Sequence, residues 1–177
     1  MKARLGLMAG FGAAGLLLVA CLPVSGGGYI SGLNGGKANF GFSATCDTSG
    51  AFPVLRGPWN YNDKSARVNV AGDFSSEPQP CSGSSSDVQF YFSTYTVQGN
   101  CSSGCTGIAQ IDVYDSGNHG STKGDCLAIF LSVDFVSVYS NGGSQTGGTC
   151  IHTIHTNLGD LPVTMKPVLG GNLKVGS

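Results

Sequence analysis

The side chains best suited to hold a metal are three histidines in the second half of the chain, His119, His152 and His155. Neutral imidazole is a good ligand for copper or zinc. His119 sits in the Gly-rich segment Asp115-Ser116-Gly117-Asn118-His119-Gly120. The other two share the run Cys150-Ile151-His152-Thr153-Ile154-His155-Thr156. Along a regular strand an odd offset puts 152 and 155 on opposite sides. They converge only where the strand bends, bulges or ends. No diagnostic ligand spacing is present, so three separate surface histidines are the simpler reading and a metal site the sharper one. If the three met with one position open, the donor set would suit Cu(II) or Zn(II).

Carboxylates offer a second idea. Asp112, Asp115, Asn118 and Asp125 put oxygen donors around one Gly-rich loop, as a calcium site would. Their spacing is not that of an EF-hand, and Asp and Asn commonly bind their own backbone in turns, so turn chemistry is the favoured reading. Other catalytic patterns fail. Ala38 follows Gly35-Gly36-Lys37 where a phosphate loop needs Ser or Thr. There is no Gly-x-Ser-x-Gly elbow and no Rossmann fingerprint. A single glutamate, Glu77, and scattered aspartates give no glycosidase pair.

The cysteines define the compartment. The chain has seven, and Cys21 ends the segment Leu18-Val19-Ala20-Cys21. Before it, Lys2 and Arg4 precede an uncharged apolar run from Leu5 to Ala20. Such a run is short for a membrane span and fits the apolar core of a signal peptide. The tetrapeptide resembles the bacterial lipobox. That resemblance implies cleavage after residue 20, a diacylglycerol on the Cys21 thiol and an acylated amine, hence stable anchoring. An ordinary signal peptide with Cys21 free to pair is the alternative. Leu22, rather than Asp, after the cysteine resembles an outer-membrane address. Cys46, Cys81, Cys101, Cys105, Cys126 and Cys150 then remain, an even set that reads as up to three structural disulfides in an exported protein. Fifteen pairings are open. Cys101 and Cys105 are too far apart in sequence for a C-x-x-C motif, which weakens zinc-ribbon and thioredoxin-like readings.

The remaining residues specify strands. Gly is abundant, at 29 of 177 residues, and charge is sparse, a composition that disfavours helix. Cleavage would remove two of nine basic residues, leaving seven against ten acidic ones and a charge near −3. No basic patch of the kind that binds nucleic acid is present. Ala38, Phe40, Phe42 and Ala44 alternate with polar residues and Gly41. Further strands are expected within 52–61, at Val68–Val70, over 87–97, 108–114 and 149–155, and at 173–175. The hydrophobic stretch 126–139 reads as one long strand or as a hairpin bent near Asp134. The segments 74–86, 115–125 and 140–148 read as loops. Trp59 is expected in the core. Residues 22–28 read as a flexible tether. The organisation expected is therefore a signal peptide at 1–20, a lipidated cysteine and tether at 21–28, and a single β-domain at 29–177. The expected fold class is all-β, an antiparallel sandwich or flattened barrel stapled by disulfides.

Several short motifs carry a family resemblance. They include Gly36-Lys37-Ala38-Asn39-Phe40-Gly41-Phe42, Asn60-Tyr61-Asn62-Asp63 and Val68-Asn69-Val70-Ala71-Gly72. Later come Asp112-Val113-Tyr114-Asp115-Ser116-Gly117, Gly124-Asp125, Ile129-Phe130-Leu131 and Gly170-Gly171-Asn172-Leu173-Lys174-Val175. In these the chain resembles the post-COAP-1 type of secreted bacterial β-domain. The resemblance implies fold and an extracytoplasmic, envelope-anchored location, and the cysteines are outside its pattern. Two functions are then expected. The first is non-catalytic: a membrane-tethered subunit that binds or supports other envelope proteins, as in a surface-layer assembly, or pairs with its own copies. The aromatic run Phe90-Tyr91-Phe92 with Tyr95 supplies contact candidates, although its alternation equally fits core packing. The second is enzymatic. An exported β-domain with exposed histidine-bound copper resembles copper-only superoxide dismutases, and Arg56, Arg67 or Lys123 would steer the anion. The His-x-His pair and fourth histidine of the copper–zinc family are absent, so the ligand set would differ from that family's.

Overall fold

The structure, a computed structural model, describes residues 22–76, 88–117, 124–142, 150–156 and 159–176, with 153–156 and 159–161 described by their backbone alone. The strands are β1 (Val24–Ser31), β2 (Lys37–Asp47), β3 (Val54–Arg56), β4 (Pro58–Asp63), β5 (Val68–Asp73) and β6 (Gln89–Val97). They continue with β7 (Thr106–Tyr114), β8 (Cys126–Val133), β9 (Val136–Ser140), β10 (Cys150–Thr156), β11 (Gly159–Pro167) and β12 (Gly170–Val175). One short 3-10 turn, Phe74–Ser76, follows β5. All pairings are antiparallel, in the order β10-β11-β8-β7-β6-β5-β4-β2-β1-β12, with β3 beside β2 and β9 beside β8. The sheet curls into a half-barrel, so the all-β, disulfide-stapled class read from the sequence holds.

Alternation explains which face is buried. Ala38, Phe40, Phe42 and Ala44 on β2, Trp59 and Tyr61 on β4, and Tyr91 and Tyr95 on β6 all point into one core. Ala109, Ile111 and Val113 on β7 and Leu127, Ile129 and Leu131 on β8 complete it. Each large apolar side chain so buried contributes about 1.5–3 kcal/mol. Trp59 is buried as expected, and its indole Nε1 donates to Ser93 Oγ at 2.9 Å. It lies across Gly72, where a Cβ would come within 2.5 Å of that nitrogen. Glycine there lets the ring cover the backbone.

A buried polar chain ties β9 back to β4. Asn141 Nδ2 donates to Tyr61 Oη at 2.6 Å, the Tyr61 hydroxyl bonds to that of Tyr139 at 2.7 Å, and Tyr139 donates to Asp63 Oδ2 at 2.8 Å. Burial pushes the Asp63 pKa up, but donors from Ser65, Leu33, Tyr139 and Ala66 outweigh it and hold the carboxyl below its ordinary value. Burial first, and then the neighbouring Tyr61 and Asp63, keeps Tyr139 protonated far above its ordinary pKa. The chain bridges sequence separations of 76 to 80 residues.

Several expectations need correcting. Residues 24–28 are strand, not tether: β1 pairs with β2 on one side and β12 on the other. Gly26, Gly27 and Gly28 look like a linker by composition, yet they allow close backbone approach. A Cβ at Gly28 would lie 2.1 Å from Gly170 O. Leu22 is held too, donating its backbone N–H to Gln89 Oε1 at 3.4 Å and accepting from the Tyr91 hydroxyl at 2.9 Å. Of the two readings of 126–139, the hairpin bent near Asp134 is the one that holds: β8 and β9 are turned by Asp134 and Phe135, both left-handed at φ 48° and 63°, a pair of conformations typical of two-residue hairpin turns. Strand β11 was not expected. Pro162 interrupts its pattern but sits where, among the described residues, β11 pairs with β10 alone, since its pairing with β8 is limited to Lys166 and Pro167. Of the aromatic contact candidates, Tyr91 and Tyr95 are core residues.

Candidate functional site

The outer face of β6–β8 is not left to solvent. Phe90 on β6, Gln110, Asp112 and Tyr114 on β7, and Cys126, Ala128 and Phe130 on β8 alternate with the core residues and so point outward. The hairpin β10–β11 lies over them. Val88, Cys126, Ala128 and Met165 form a second, smaller apolar cluster, edged by Phe90, Tyr114, Phe130, Cys150 and Val163. Hairpin and sheet are joined covalently by the disulfide Cys126–Cys150.

Between the two layers a cavity of about 290 Å³ opens to solvent. Gln110 and Asp112 form its floor, with Phe90 and Phe130 at its sides. Across the strands Asp112 is opposite Phe90 and Ala128, and Gln110 is opposite Phe92 and Phe130. Pro162, Val163 and Thr164 of β11 and Gly142 make the rim. A Cβ at Gly142 would lie 2.8 Å from Phe130 Cζ and 2.9 Å from Thr164 O, so glycine is what lets the chain pass so close.

Asp112 is the anomalous residue of this cavity. It is 2 % exposed, and among the described residues its one hydrogen-bond donor is Gln110 Nε2, at 2.8 Å to Oδ1. Burial pushes its pKa up to about 6, the Gln110 amide offsets part of that, and no neighbouring charge contributes. A carboxylate so placed is costly unless it is paired. Sequence reasoning put Asp112 with the loop carboxylates. The available signal was the pattern Gln110-x-Asp112-x-Tyr114 on one face of an otherwise apolar strand.

At the far end of the same face lies His152, one of the three histidines flagged for metal, beside two of the cysteines expected in disulfides. Cys126, Cys150 and His152 offer ligand atoms all within 4.8 Å of one another. His152 Nε2 is 3.5 Å from Cys126 Sγ, and its ring stacks on Tyr114 with centroids 3.7 Å apart. Burial lowers the His152 pKa, which favours the neutral, ligand-competent imidazole. With Cys126 and Cys150 oxidised, however, both sulfurs are committed to their bond and only one imidazole remains as donor. The β10–β11 register runs unbroken from Cys150 opposite Met165 to Thr156 opposite Gly159. No bulge therefore cancels the odd offset of 152 and 155. His119 and the side chain of His155 lie outside the described residues.

Several of the other flagged residues among those described have structural partners. A second disulfide joins Cys101 to Cys105, and Cys46 is also oxidised, with a partner outside the described residues. Cys21 and Cys81 themselves lie outside them. Asp115 accepts from Gly117 N and Val175 N, both at 2.8 Å, and Asp125 accepts from Ser116 N at 3.0 Å and Ser116 Oγ at 2.9 Å. These are turn and closure contacts, as turn chemistry predicts. Asn118 and Lys123 lie outside the described residues. Arg56 is engaged with Asp47, its Nε 2.6 Å from Oδ2. Arg67 adopts a left-handed turn conformation at φ 56°.

No family model, curated protein or solved structure matches this chain. The family resemblance drawn from the sequence therefore rests on its short motifs alone.

Proposed function

We propose that the protein is an exported envelope domain, tethered through a lipid on Cys21, that acts by binding rather than by catalysis. The observation that carries this reading is the position of Leu22. The residue next to the lipobox cysteine is clamped on Gln89 and Tyr91 at the start of β6. The hairpin tip lies toward the other end of the same strands, with Asp134 and Phe135 beside Thr94, Thr106 and Ile108. That is about 20 Å along the strand direction. A lipid at Cys21 would hold the first end against the bilayer and present the second outward. The tip carries Phe135 at 98 %, Val136 at 66 % and Val138 at 57 % exposure, an apolar group suited to contact with envelope proteins or a second copy. Disulfides fit an oxidising compartment.

Fractionation of native cells tests the reading. The wild type is expected in the membrane fraction, released by detergent and with its cysteines oxidised. Cys21→Ser is expected to leave that fraction. Recovery of both from the cytosol with free thiols would sink it.

A second reading, a copper-dependent superoxide dismutase, has one observation in its favour: the imidazole of His152, with its pKa lowered beside Tyr114 and Cys126. It requires further ligands; the sequence offers His119, while the unbroken β10–β11 register leaves positions 152 and 155 at an odd offset that keeps His155 from joining it. Copper bound in protein from its native host, lost together with dismutase activity in His152→Ala, would select it. Unchanged copper content in that variant would exclude this ligand set.

A further inference from the structure

We infer that the cavity between the sheet and the β10–β11 hairpin is a binding site for a small organic ammonium group, with Asp112 as its counter-ion and Phe90 and Phe130 as its walls. The inference concerns this cavity alone and does not depend on lipidation or on where the protein resides.

The chemistry of the lining selects the ligand class. The carboxylate on the floor disfavours anions. Asp112 is also the only titratable side chain among the described lining residues, and it has a single donor, Gln110. A hard metal cation such as calcium takes about six to eight oxygen ligands, which this lining does not supply. A sugar would want several polar partners for its hydroxyls. The rest of the lining is largely apolar, with Phe90, Phe130, Pro162 and Val163. An alkylammonium satisfies both parts: its charge pairs with the buried carboxylate, and its carbon-bound hydrogens meet aromatic faces that attract cations. The volume, about 290 Å³, is at the lower end of small-molecule sites. The position also explains why a carboxyl with its pKa pushed up by burial stands where a neutral residue would cost less. A buried carboxylate that has an amide donor but no neighbouring counter-charge carries a cost that a bound cation removes.

The test is an NMR-detected titration of the whole exported domain at pH 7.5 with n-butylammonium, and with n-butanol as its neutral counterpart. n-Butylammonium is expected to shift resonances of Phe90, Gln110 and Phe130, and to bind at least tenfold more tightly than n-butanol. Asp112→Asn keeps the shape and the acceptor for Gln110, and is expected to weaken n-butylammonium at least tenfold while leaving n-butanol unchanged. Phe90→Leu, which keeps apolar bulk without a π face, is expected to weaken the cation several-fold, so the inference remains testable if the Asn variant folds poorly. Equal binding of the two probes, no binding of either, or full cation binding by Asp112→Asn would each overturn it.

Discussion

Replacing Asp112 by Asn should stabilise the protein, and only above a certain pH. The folded-state pKa of Asp112 is raised from 3.8 to about 6. A raised carboxyl pKa means that the folded protein holds the proton more tightly than the unfolded chain does. The sign follows: stability is lost as pH rises from about 4 through about 6, and the loss is complete above that. Two pH units correspond to about 3 kcal/mol at 1.36 kcal/mol per unit. Asn never ionises and keeps an acceptor for the Gln110 amide. The difference in unfolding free energy between variant and wild type should therefore grow by about 3 kcal/mol between pH 4 and pH 8. Any fixed offset from the new amide cancels in that increment. In melting temperature the increment is about 6–12 °C for a chain of this size. Urea unfolding followed by Trp59 fluorescence at several pH values measures it, since Trp59 is 1 % exposed in the fold. A difference that stays flat with pH would show that Asp112 is hydrated and titrates normally. The hairpin would then not cover it, and the binding site inferred above would lose its charged floor.

The remaining predictions concern what holds the sheet closed. Removing Cys126–Cys150 as a double Ala variant should cost more than removing Cys101–Cys105. Their sequence separations are 24 and 4 residues, and chain entropy alone then gives about 3.5 against about 2 kcal/mol. Equal losses in denaturant midpoints would contradict that ordering. Tyr139→Phe removes the donor to Asp63 and the partner of Tyr61. It should cost about 1–3 kcal/mol in the same unfolding assay, because buried polar groups are left unpaired. A change below a few tenths would show that the chain of hydroxyls does not tie β9 to β4. Ser93→Ala strips the Trp59 indole of its acceptor and should destabilise by about 1–3 kcal/mol. An unaltered midpoint would place water in that role.

Much of the fold was legible because a sheet with one buried face writes its alternation into the sequence. Ala38 to Ala44 on β2 and Trp59 and Tyr61 on β4 could be read directly. Strands that break that pattern were not legible. β1 carries three consecutive glycines, whose composition matches a linker, and only the approach of β12 from the far end of the chain explains them. β11 holds Pro162, at a point where, among the described residues, only β10 pairs with it. The site was legible only in pieces. Cys126, Cys150 and His152 were singled out by residue type, but their meeting depends on a hairpin folding over β8. Asp112 falls within the strand expected over 108–114, yet its residue type groups it with the carboxylates of the neighbouring loop. Its side chain points to the outward face of β7, which a local reading gives to solvent. That the face is covered is set by Val163 and Met165, some fifty residues later, and no local pattern encodes it.

The most direct check of the account is intact-mass and N-terminal peptide analysis of the protein purified from native membranes. The expected result is a chain starting at Cys21, carrying thioether-linked diacylglycerol and an acylated amine, with Cys126 bonded to Cys150. An unlipidated chain that still contains residues 1–20, with its thiols reduced, would contradict it.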